Sequence, residues 1–67
     1  MEMIIASDVE RDDIFAEFYY QGIFWAELSV SEETGKGKLQ IFRNEKFTMP
    51  YDEVIEALQR GYARLQQ

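Results

Sequence analysis

Residues 15–28 read FAEFYYQGIFWAEL, two apolar-rich runs on either side of Gln21-Gly22. The runs are rich in aromatic and β-branched side chains, and glycine supplies the turn, so the stretch predicts a β-hairpin. Side chains alternate across a strand, and the phase of that alternation decides which rings share the buried face. A three-residue loop Tyr20-Gln21-Gly22, with glycine in the left-handed position of a bulged turn, pairs Tyr19 with Ile23. Ile14, Ala16 and Phe18 then lie opposite Leu28, Ala26 and Phe24. A two-residue turn at Gln21-Gly22 carries Glu27 onto the face of Ile14 and Phe18. Burying that carboxylate is costly, so the three-residue loop is preferred.

Outward from this hairpin, turn-forming residues recur every eight to twelve positions, in ERDD before it and SEETGKG after it. Four strands follow, at 3–10, 13–20, 23–31 and 36–43, in an antiparallel meander. The last third carries Val54, Ile55, Leu58, Tyr62 and Leu65 at the spacing of one helix face, predicting a helix over 49–66. Thr48 is placed to cap it with Pro50 in the first turn, and Asp52, Glu53, Arg60 and Arg64 complement its dipole. Gly61 weakens the helix interior and predicts close approach to the sheet. The expected fold is a two-layer α+β domain, ββββα, covering residues 1–67 as one unit.

The loops align Val9 with Ile14, Ile5 with Phe18, Val30 with Leu39 and Leu28 with Ile41. The helix-facing core then comprises Ile5, Val9, Ile14, Ala16, Phe18, Phe24, Ala26, Leu28, Val30, Leu39 and Ile41. Phe15, Glu17, Tyr19, Ile23, Trp25, Glu27 and Phe42 point the other way, with Ile4 and Asp8 beside them. One helix shields one face of a small sheet, so these seven residues form the candidate partner-binding surface.

Composition narrows what such a surface binds. The chain has 67 residues, no cysteine and no histidine, which removes disulfides, thiolate chemistry and Cys/His zinc sites. Formal net charge is −6, distributed as −8 over residues 1–33 (one base, nine acids) and +2 over 34–67 (six bases, four acids). That balance disfavours direct binding to nucleic acid or an anionic membrane. No apolar run is long enough to span a membrane and no signal-peptide pattern opens the chain, so the expected compartment is the cytoplasm. Asp8, Glu10, Asp12 and Asp13 gather carboxylates near the first turn, but their spacing is not that of a calcium loop. Lys36, Lys38, Arg43 and Lys46 protect the edge of the fourth strand.

No catalytic constellation, cofactor motif or metal-ligand set is evident, and the expectation is a protein that is not an enzyme and needs no cofactor. Partners are expected to be a second copy, in a homodimer, another protein, or both. Size and charge suit a stoichiometric inhibitor or neutraliser, of the immunity type or the phage-encoded anti-defence type. The alternatives are a structural or adaptor homodimer, or an acidic DNA mimic acting on a nucleic-acid-binding protein.

Overall fold

The structure, a computed structural model, describes residues 1–8 and 13–66. Four antiparallel strands, β1 (Glu2–Asp8), β2 (Asp13–Tyr20), β3 (Ile23–Val30) and β4 (Gly37–Ile41), form one open sheet in chain order. One helix, α1 (Tyr51–Leu65), packs across β1, β2 and β3. The expected ββββα arrangement is therefore observed. Val9, and Glu10, Arg11 and Asp12 of the first turn, lie outside the described residues.

The central hairpin departs from expectation. Tyr20 pairs with Ile23, so the turn is the two-residue one, with Gln21 at φ 51° and Gly22 at φ 80°. Both values lie in the left-handed region that a type I′ turn requires. The register then shifts: Tyr19 faces Phe24, whereas Phe18 faces Ala26 and Glu17 faces Glu27. Trp25 is the extra residue of a β-bulge. One inserted residue flips the remainder of β3 back into phase, and the carboxylate of Glu27 stays out of the core. The bulge thus removes the penalty that argued against the short turn.

It also reassigns three side chains. Trp25 turns under the helix and is 4% exposed, packed with Ala16, Phe18, Ala26, Leu28 and Ala57. Its ring centroid is 6.0 Å from that of Phe18. Phe24, expected in the core, turns to the opposite face. Ile23 shares the side of Tyr20, which packs against the core cluster, and so also leaves the face expected for it.

The outer pairings keep the predicted phase but slide by two residues. Ile5 faces Ala16, Leu28 faces Leu39 and Ala26 faces Ile41. An even shift preserves the faces. Ile14, Leu39 and Ile41 accordingly hold the helix side, yet remain 57%, 43% and 52% exposed. One helix does not reach the far corner of β2 or the β4 edge.

α1 begins at Tyr51 with Pro50 as its N-cap and no side-chain cap, so Thr48 does not play the capping part expected of it. Gly61 is buried against the sheet, as its position predicted. Near the other end of α1, the Tyr62 hydroxyl donates to the Gly35 carbonyl at 2.6 Å. Gly35, at φ 72°, closes the β3–β4 loop by donating its N–H to the Ser31 carbonyl at 2.8 Å. The final helix and the last hairpin are thereby joined.

Candidate functional site

The face of the sheet turned away from α1 is organised in rows by the strand pairings. Tyr19, Phe24 and Phe42 form the first. The rings of Tyr19 and Phe24 are 5.4 Å apart and tilted by 50°, while those of Phe24 and Phe42 are 5.1 Å apart and stacked at 29°. Phe42 lies just past β4, held by its N–H donating to the Trp25 carbonyl at 2.9 Å. The bulge that buries the Trp25 side chain thus leaves its carbonyl as the anchor for this row.

The next row runs Ile4, Glu17, Glu27 and Gln40. Glu17 and Glu27 are directly opposite, a like-charge placement that weakens a strand pair. The Tyr19 hydroxyl donates to Glu17 Oε1 at 3.3 Å, which links the carboxylate row to the rings. Desolvation of the phenol, then the Glu17 carboxylate and more weakly Glu2, raise the Tyr19 pKa. The row beyond contains Ala6, Phe15, Ser29 and Lys38. Ile4 and Phe42 are 41% and 46% exposed on this face.

No family model, curated protein or solved structure matches the chain.

Of the seven residues singled out in the sequence, Glu17, Tyr19, Glu27 and Phe42 share the face as expected. Phe15 is on it too, but buried and outside the helix-side cluster, so it contributes little accessible surface. Trp25 and Ile23 leave it, and Phe24 joins it. The missed signal was the run Ile23-Phe24-Trp25-Ala26: four consecutive apolar residues cannot alternate between a core and an open face without a bulge.

The acidic turn at Asp8–Asp13 lies largely outside the described residues. Among those described, no three acidic side chains gather closely enough to hold a metal ion, and no helix is long and apolar enough to cross a membrane.

Proposed function

We propose that this chain is a non-enzymatic recognition module that binds another protein through the uncovered sheet face, with the Tyr19–Phe24–Phe42 row at its centre. The supporting observation is that three contacting rings occupy a face that no described element covers, beside the carboxylates of Glu2, Glu17 and Glu27. Aromatic side chains dominate the binding energy of protein interfaces, where they are desolvated within a polar rim. Acidic neighbours suit a partner with basic side chains, because complementary charge speeds encounter and rejects wrong partners.

A foreign partner fits this face better than a second copy. Two-fold pairing of the face with itself would bring the glutamates of both copies together, with Lys38 the cation that the described part of the face supplies. Stoichiometric inhibition or neutralisation of the partner is the use such a site favours, since binding alone accomplishes it.

The test compares the wild-type chain with Phe42→Ser and with Tyr19→Ser/Phe42→Ser, each tagged, in affinity capture from source cells with quantitative mass spectrometry. A protein retained at stoichiometric yield by the wild type and lost with both variants, whose circular dichroism is unchanged, supports the reading. Equal capture by all three contradicts it. Conversion of a wild-type dimer to monomer in sedimentation would assign the face to self-association instead.

A further inference from the structure

On the uncovered face, β1 and β2 bring four side chains into one square. Glu2 stands opposite Tyr19 and Ile4 opposite Glu17, so two acids occupy one diagonal and two largely apolar groups the other. The corners on β1 are open, with Glu2 exposed and Ile4 41% exposed. Those on β2 are half-buried and joined, the Tyr19 hydroxyl donating to Glu17 Oε1 at 3.3 Å. Phe24 flanks the Tyr19 ring from β3, and toward β1 the neighbours of that ring are Glu2 and Ile4.

Among the described residues, no cationic side chain pairs with Glu2 or Glu17: the ion pairs join Met1 to Glu53, Arg43 to Glu45 and Arg60 to Glu56. One accepted hydrogen bond also leaves a carboxylate most of its acceptor capacity. A half-buried carboxylate beside a second acid, with no described counter-charge, favours a cation from outside. The chain itself shows which cation such a combination holds. Arg43 pairs with Glu45 while its guanidinium lies 5.4 Å from the centre of the Phe47 ring. Glu17 and Tyr19 offer the same two groups, a carboxylate and a ring two residues further on, without a described arginine between them.

We propose that this square receives an arginine side chain of the partner protein, its guanidinium against the Tyr19 ring and hydrogen-bonded to Glu17 and Glu2, its methylene arm over Ile4. The assignment rests on the face being a partner-binding surface and names the group that the surface selects. Arginine suits it better than lysine. A planar, weakly hydrated guanidinium stacks on a ring while its fork of donors meets a carboxylate, whereas an ammonium is a strongly hydrated point charge. The arm of a long basic side chain covers apolar surface such as Ile4 while its head stays polar.

The test titrates N-acetyl-arginine amide, N-acetyl-lysine amide and the neutral isostere N-acetyl-citrulline amide into the isotope-labelled full chain at low salt, followed by amide and methyl chemical shifts. The arginine compound is expected to shift Ile4, Glu17 and Tyr19 saturably and to bind at least about threefold more tightly than the lysine compound, with no saturable shift from citrulline. Glu17→Gln should weaken arginine binding about fivefold, and Glu56→Gln, which removes the same charge from α1, should leave it unchanged. Equal affinity for arginine and lysine, shifts spread evenly over the acidic residues, undiminished binding to Glu17→Gln, or self-association that protects Ile4 and Tyr19 would each overturn the proposal. Adding Glu17→Gln to the capture experiment separates the two readings. A partner lost with Phe42→Ser but kept in full by Glu17→Gln removes the arginine subsite and leaves the face; equal capture by the wild type, Phe42→Ser and Tyr19→Ser/Phe42→Ser removes both.

Discussion

Gly61 of α1 sits directly against the ring of Phe18: a methyl group built at Gly61 would come within 2.8 Å of Phe18 Cζ and 3.1 Å of Met3 Sδ. Phe18 is fully buried, so its ring has nowhere to retreat. Alanine is the better helix former by about 1 kcal/mol, but overpacking a dense core costs typically about 1–3 kcal/mol. Gly61→Ala is therefore expected to lower stability in urea denaturation. The loss should shrink in Gly61→Ala/Phe18→Leu relative to Phe18→Leu alone, because the two side chains share one space. A stabilised Gly61→Ala chain would mean that the helix stands farther off.

Gln21 adopts φ 51° in the hairpin turn, a conformation that costs an ordinary side chain roughly 1–2 kcal/mol and asparagine or glycine less. Gln21→Asn should raise stability by up to about 1 kcal/mol without touching any packed residue. An unchanged denaturation midpoint would argue against the type I′ turn.

Trp25 supplies an optical check on the bulge. Buried under α1, it should emit at short wavelength and resist quenching by iodide. Trp25→Ala should cost about 3–5 kcal/mol, as expected when a large core ring is deleted. A red-shifted, readily quenched indole would place it on the open face after all.

Phe42 should behave in the opposite way. Being half-exposed and stacked on Phe24, it contributes a cross-strand contact, so Phe42→Ser should cost no more than about 1 kcal/mol. A midpoint shift as large as that of Trp25→Ala would show Phe42 to be structural, and would disqualify it as a binding probe.

The raised pKa of Tyr19 has a definite sign. Stability associated with its protonated phenol is fully present below the ordinary tyrosine value and is lost as pH rises through the higher folded-state value. Glu17→Gln removes the carboxylate's contribution but leaves the desolvation, so it should bring the Tyr19 titration part of the way back. The tyrosinate absorbance, corrected by subtracting the curve of Tyr19→Phe, reads this directly. An upward movement in Glu17→Gln would contradict the observed contact.

How far these features were legible in the sequence depended on whether alternation was regular. On β2, Phe15-Ala16-Glu17-Phe18 carries one charged residue that can face only outward, so the phase of the strand is unambiguous. The periodicity of Leu58, Tyr62 and Leu65 identifies α1 equally well. At Ile23–Ala26 the alternation disappears, and both turn geometries remain open until the bulge is seen. The charge of Glu27 does exclude an unbroken two-residue hairpin, but one extra residue at Trp25 rescues the same turn and exchanges the faces of Trp25 and Phe24. Two-residue slips in the outer pairings left no trace in the pattern, because an even displacement keeps every side chain on its face. Partial coverage of β4 depends on where α1 settles across the sheet, which no local spacing encodes.

The strand order 1-2-3-4 means that every hairpin joins segments adjacent in the chain. Assembly of the sheet then requires only short loops to close, the circumstance in which small domains fold fastest. The long reach is left to the final segment, whose Tyr62 grips Gly35 from 27 positions away. The meander can accordingly close through neighbouring contacts alone, with the helix arriving as a late latch.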